Sequence, residues 1–134
     1  MTKYIMDIEA NHLLADVTKV WCVVLRNGDT NEVHTFDPDE IEASLEFMDK
    51  AEYLVGHNII DYDLRVLKKL YGWDYKGKVI DTLVCTRTIW PHIGELDSKS
   101  KNLPQKLRGS HSLKAWGYRL GELKGCLLYT SDAA

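Results

Sequence analysis

Two carboxylates one residue apart raise the first chemical question in this chain. The stretch Lys3–Leu14 reads KYIMDIEANHLL, and the apolar run Tyr4-Ile5-Met6 leads into Asp7-Ile8-Glu9. Residues i and i+2 of a strand point to the same face, so Asp7 and Glu9 project together, with Cβ atoms about 7 Å apart. At an effective dielectric of about 20, two such charges repel by roughly 2 kcal/mol. A solvated edge strand tolerates that. A strand near a sheet centre needs a reason for it, and a divalent cation is one. Mg²⁺ and Mn²⁺ prefer hard oxygen ligands and hold water and substrate phosphates beside them. Two such ions about 4 Å apart stabilise both the attacking and the leaving oxygen of a phosphodiester displacement. The pair alone leaves both readings open, the solvated acidic face being the simpler.

More acids follow at element junctions. In VGHNIIDYDLRVL (Val55–Leu67), Asp63 stands near the start of a helix that follows a short apolar strand. Such junctions point side chains at the C-terminal edge of a sheet, where ligands bind. Asp61 and Asp63 equally suit the first turn of a helix, where they favour its dipole. His57 and Asn58 read as loop polar groups before they read as ligands. Asp81 ends another strand, either as N-cap of the next helix, the simpler reading, or as a site residue.

The elements that must position these residues come next. Lys3–Glu9 reads as a strand, and TKVWCVVLRNG (Thr18–Gly28) as a second that ends on the turn signal Asn27-Gly28. Glu32–Phe36 alternates and pairs with it as a hairpin. Asp37 as N-cap, Pro38 at N1 and Glu40 at N3 predict a helix starting there, with Ile41, Leu45 and Met48 as its apolar stripe. Tyr53–Gly56 is a buried strand. DYDLRVLKKLYG is a helix with Leu64, Leu67 and Tyr71 on one face and Gly72 at C′. KVID leads to Asp81, then a helix runs to about Trp90, where Pro91 blocks it. Ile93–Ser110 reads as a long polar loop, and a final helix has Ser112 as candidate cap. The order βββαβαβα predicts an α/β fold with a mixed sheet.

Composition sets the outer bounds. The chain has 134 residues, 45% hydrophobic and 28% charged, which fits one ordinary globular domain. A formal net charge of -3 disfavours a purely electrostatic nucleic-acid binder and leaves room for a local basic patch. There is no apolar run long enough to span a membrane and no signal-peptide pattern. Cys22, Cys85 and Cys126 match neither a zinc site nor a disulfide framework, and a reducing cytoplasm is the simplest setting.

Taken together, the segments resemble a known family. DIEAN is similar to the D-x-E motif of the DEDD-type 3′→5′ exonucleases, and HNIIDYD to their second motif. IDTLVCTR and GSHSLKAWGYRLGELKG sharpen this to the proofreading exonuclease domain of family A DNA polymerases from short-tailed bacteriophages. The resemblance runs from about Tyr4 to Gly125. It implies a ribonuclease H-like fold: a mixed five-stranded sheet, antiparallel meander plus parallel strands, flanked by helices. It implies that Asp7 and Glu9 bind the catalytic metal, Asp7 bridging two Mg²⁺ or Mn²⁺ ions, and that Asp63 binds the second ion directly or through water. One ion then activates the attacking water and the other stabilises the leaving 3′ oxygen.

The implied substrate is a single-stranded DNA 3′ end, cleaved to a nucleoside monophosphate. Its expected contacts are Ala10, Asn11, Leu13, His57, Asn58, Lys101, Lys106 and Arg108. Leu13 and Leu14 read either as a wedge against terminal bases or as ordinary core, and the basic loop Lys99–Arg108 as a phosphate track or a solvated loop. Trp21, Trp73, Trp90 and Trp116 are candidates for base stacking, although the spacing of Leu113, Trp116 and Leu120 favours core for Trp116. The expected partner is a polymerase domain of the same full-length chain, the exonuclease domain itself being monomeric, in a phage-encoded protein acting in the bacterial host cytoplasm.

One part of the family pattern departs. A third motif, Y-x-x-x-D, has no match, and Tyr129 to Asp132 has a spacing of three rather than four. Cys126–Ala134, CLLYTSDAA, resembles the translation of a transposon-end sequencing adapter. The expectation is therefore an incomplete exonuclease domain over residues 1–125 and a non-native tail over 126–134. Two alternatives stand beside it: a free-standing DEDD exonuclease acting on RNA or short DNA, and a catalytically incomplete nucleic-acid-binding module.

Overall fold

The computed structural model describes residues 2–122. The chain divides into two compact units, the first ending at Thr82 and the second beginning at Leu83.

The first unit is built on a five-stranded sheet. Its strands are β1 (Lys3–Ala10), β2 (Val20–Asn27), β3 (Val33–Phe36), β4 (Tyr53–Gly56) and β5 (Lys78–Asp81), in the order β3-β2-β1-β4-β5. β1 pairs antiparallel with β2 and parallel with β4, β2 pairs antiparallel with β3, and β4 pairs parallel with β5. This is the predicted mixed sheet. β1 is central, so Asp7 and Glu9 are not on an edge strand. Period two decides the faces: Tyr4, Met6 and Ile8 are buried, while Asp7 is exposed and Glu9 half-buried on the other side. A bulge after Glu9 breaks the pairing with β2 at the point where the acidic motif ends.

Helix α1 (Ile41–Asp49) packs Ile41, Leu45 and Met48 into the core, as the stripe predicts. Each such side chain contributes roughly 1.5–3 kcal/mol of hydrophobic stabilisation. Its start differs from the expectation. Asp37–Glu40 forms a turn, with the Glu40 N–H donating to the Asp37 carbonyl (2.9 Å) and the Asp37 N–H donating to Glu40 Oε1 (3.1 Å). The capping-box residues thus close a turn around Pro38, and the helix begins after it.

The predicted helix over Asp61–Gly72 is two pieces. A π-helical turn, Ile59–Asp63, precedes α2 (Leu64–Tyr71), and the Leu64 N–H reaches back five residues to the Ile59 carbonyl. Gly72 is left-handed (φ 65°) and its N–H donates to the Lys68 carbonyl, so the predicted C′ position holds. The buried face of α2 is Val66 and Leu67, flanked by Leu64, Leu70 and Tyr71. Trp73 packs against this core with Tyr75, and its indole N–H donates to Asp49 (2.8 Å).

α3 (Thr82–Ile89) crosses from the first unit into the second. The second unit also holds α4 (Ile93–Asp97), a 3₁₀ turn (Gln105–Leu107) and α5 (Leu113–Leu120). The predicted loop over Ile93–Ser110 is therefore partly helical. Ile93 and Leu103 are buried, and the buried Asp97 carboxylate takes a two-pronged ion pair from Arg119 (2.9 and 2.7 Å) and an N–H bond from Gly109 (2.8 Å). The buried charge of this polar-looking stretch is thus paired. Ser112 caps α5 by accepting the Ala115 N–H (3.1 Å), as predicted. The Leu113, Trp116, Leu120 stripe is not core: Leu113 and Leu120 are exposed, and Ala115 is the buried residue of α5. Trp116 is half-buried and packs against Trp90 and under the Arg119 guanidinium. Cys126, Tyr129 and Asp132 lie outside the described residues.

Candidate active site

The parallel strands β1 and β4 leave a gap at their carboxyl ends. β4 stops at Gly56, whereas β1 runs on to Ala10. The freed β1 edge carries the Ile8 N–H, which donates to Asp63 Oδ2 (3.2 Å). Asp63 therefore reaches across 55 residues to the backbone of β1, beside Asp7. It is 5% exposed.

Like charges raise the pKa values of the groups along this edge. Burial, then the neighbouring Asp7, pushes the Asp63 carboxyl up to about 7, against the pull of the Ile8 N–H; Asp81 also raises it. Tyr62 is pushed up by burial and then by Asp63 and Glu9. Cys22, opposite Glu9 on β2, is pushed up by burial and then by Glu9 and Asp7. Asp7, Glu9, Asp63 and Asp81 all contribute to the field that these groups feel. Asp63 stands against β1 between the two acids of the D-x-E pair in sequence, with Asp7 its strongest charged neighbour.

A divalent cation fits this donor set chemically. The groups are hard oxygens, two solvent-accessible to differing degrees and one buried beside a like charge, which is the condition a cation or a proton relieves. Among the described residues, however, no three His, Cys, Asp or Glu side chains already form a cage. Asp63 is turned to the Ile8 N–H, and the mutual repulsion of the acids opposes their convergence.

The remaining expected contacts divide. Leu13 is 79% exposed at the tip of the β1–β2 connection, while Leu14 packs on the core. That connection is tied to the helical arm: Tyr62 Oη donates to the His12 carbonyl (2.6 Å), and Lys69 Nζ to the carbonyls of Leu14 (2.8 Å) and Ala15 (3.0 Å). Asn11 is occupied within the loop. Its Oδ1 accepts the N–H groups of Thr18 and Lys19 (3.1 Å each), and its Nδ2 donates to Thr18 Oγ1 (2.7 Å). Ala10 is half-buried at the bulge. Asn58 is left-handed (φ 62°), and His57 Nδ1 shares a hydrogen bond with Thr82 Oγ1 (2.9 Å). Trp21 is exposed with Lys19 over its ring. Lys101, Lys106 and Arg108 are exposed in the second unit.

Asp81 is the residue whose role sequence reasoning left short. Its carboxylate accepts the N–H groups of Asn58 (2.9 Å) and Ile60 (3.0 Å), so it caps the helical run before it in sequence. Its position at a strand end was the only available signal.

Comparison with known proteins adds two findings. The chain is 38% identical over 135 aligned residues to the DNA-directed DNA polymerases of Enterobacteria phage T3 and Escherichia phage T7, with 90% of this chain covered. It spans 19% of the length of each of these curated relatives. Its structure superposes on E. coli exonuclease I, solved in complex with a dT13 oligonucleotide, with a TM-score of 0.66 at 14% identity, over 92% of this chain and 36% of that one. The fold is thereby the ribonuclease H-like α/β fold expected from the sequence. No family model matches the chain.

Proposed function

We propose that this chain, matched over nine-tenths of its length by the DNA polymerases of phages T3 and T7 and folded as exonuclease I is, forms the 3′→5′ proofreading exonuclease part of such a polymerase. The observation that carries the reading is buried Asp63, from the helical arm, bonding the Ile8 N–H of the central strand beside Asp7. Asp7 and Glu9 present oxygen ligands on one face of the central strand. Asp63, anchored by the Ile8 N–H, supplies a third from the helical arm. Mg²⁺ or Mn²⁺ held there, two ions in the full arrangement, would supply Lewis-acid activation of water and charge neutralisation at the leaving oxygen. Leu13, exposed on a loop held by Tyr62 and Lys69, would press on unpaired terminal bases. Lys101, Lys106 and Arg108 are the candidate phosphate contacts of the second unit.

The substrate of this reading is a single-stranded DNA 3′ end, and the partner is the polymerase part of a longer chain. A labelled single strand incubated with the protein and Mn²⁺ tests it. Shortening from the 3′ end, abolished in Asp7→Ala, is the expected result; shortening that survives Asp7→Ala overturns the site. A second reading, a nucleic-acid-binding module that does not cleave, draws on the absence of a ready metal cage among the described residues. It predicts strand binding by the wild type with no Mn²⁺-dependent shortening.

A further inference from the structure

The proposed site depends on where one turn aims Asp63, and the turn is held from outside itself. Between β4 and the π-helical turn the chain makes a tight elbow, Gly56-His57-Asn58-Ile59-Ile60. Gly56 packs so closely that a Cβ there would come within 2.9 Å of the Met6 carbonyl oxygen and into the Ile59 side chain. Asn58 adopts the left-handed region that Asn tolerates better than most residues. Three polar groups of the elbow are then met by the end of β5. Asp81 takes the N–H groups of Asn58 and Ile60, one on each carboxylate oxygen, and Thr82 bonds the His57 ring.

We propose that Asp81, assisted by Thr82, is a positioning residue for Asp63: the end of β5 clamps this elbow and so sets where the Asp63 carboxylate stands against β1. A simple cap would not need this side chain. Ser or Asn accepts an N–H without adding charge, whereas here a carboxylate is 4% exposed among other acids. What only a carboxylate offers at this length is two separate acceptor oxygens for two amides. Asp63 lies three residues beyond Ile60, within the same π-helical turn, so fixing the amides at 58 and 60 fixes its origin. The far end of the chain of contacts is the Ile8 N–H, which reports on Asp63 directly.

The catalytic side of this inference rests on the exonuclease reading; the geometric side does not. Native-state hydrogen exchange on the full chain tests the geometry. In the wild type, the amides of Ile8, Asn58 and Ile60 are expected to open together, in one cooperative step. In Asp81→Asn, which keeps size but loses one acceptor oxygen, the Ile8 amide should exchange roughly tenfold faster or more while Leu25 in β2 is unchanged. An Ile8 amide that keeps its protection while Asn58 and Ile60 lose theirs overturns the proposal. If the variant does not fold, the wild-type measurement decides, and an Ile8 amide that opens independently of Asn58 and Ile60 overturns it. Cleavage supplies a second readout: kcat with Mn²⁺ should fall roughly tenfold or more in Asp81→Asn, with affinity for a single strand held within about twofold. An equal loss of affinity overturns the positioning role. A wild type that never cleaves removes the exonuclease reading, and the exchange data still decide the clamp.

Discussion

Asp63 is the residue on which charge and burial disagree most. Its carboxyl titrates near 7 in the folded chain, against an ordinary 3.8. Between those values the folded state holds a proton that the unfolded chain has released, so ionising Asp63 opposes folding. Stability from this group is full below about pH 4 and is lost as pH rises towards about 7. Asp63→Asn is therefore expected to raise the melting temperature at pH 7 without divalent cation, through a stability gain on the order of a few kcal/mol, and to abolish Mn²⁺-dependent shortening. A variant that melts lower than wild type at pH 7 in chelator would contradict this account. The same-face geometry of Asp7 and Glu9 was legible because period two needs only a strand. The burial of Asp63 was not, because it depends on β4 stopping short of β1. Asn11 shows the limit from the other side: read as a nucleic-acid contact, it is engaged with Thr18 and Lys19 across its own loop.

Elements were legible where local chemistry acts alone. Gly72 and Ser112 sit where their caps predict. Ser112→Ala should destabilise by about 1 kcal/mol, read from a urea midpoint. Two glycines separate local conformation from packing. Gly72 has open space and a φ of 65°, so Gly72→Ala should lose about 1 kcal/mol through backbone strain alone. Gly56 faces the Met6 carbonyl and the Ile59 side chain, so Gly56→Ala should lose more than Gly72→Ala, about 3 kcal/mol, by overpacking. Equal losses at both positions would refute the packing argument. The α1 start was misplaced because a capping box and a closed turn share the same residues, Asp37 to Glu40. The π-helical turn was not foreseen because apolar spacing and capping signals do not distinguish it from the first turn of an α-helix.

Across the molecule, two buried acids oppose one another in their pH dependence. Asp97 is held below its ordinary value, first by the hydrogen bond from Arg119, so its contribution is present above about pH 4 and is lost as pH falls through the lowered value. Asp63 acts in the opposite direction between about pH 4 and 7. Together they predict greatest stability on the acid side of neutrality in chelator, with added Mn²⁺ extending it towards pH 7. Melting temperatures from pH 3 to 8 with EDTA or MnCl₂ check this, and a curve in EDTA that climbs steadily to pH 7 would rule it out. Breaking the buried pair with Asp97→Ala should destabilise the second unit by about 3–5 kcal/mol. The sequence alone determined the strands, their mixed pairing, the shared face of Asp7 and Glu9 and most caps, because periodicity and capping act within a few residues. The tertiary structure alone decided that Asp63 meets β1, that Asp81 holds the elbow, that Ile93–Ser110 is partly helical and that Trp116 stays half-buried. Those outcomes depend on contacts between segments 9 to 55 residues apart, and at such separation only the fold sets which partner each polar group meets.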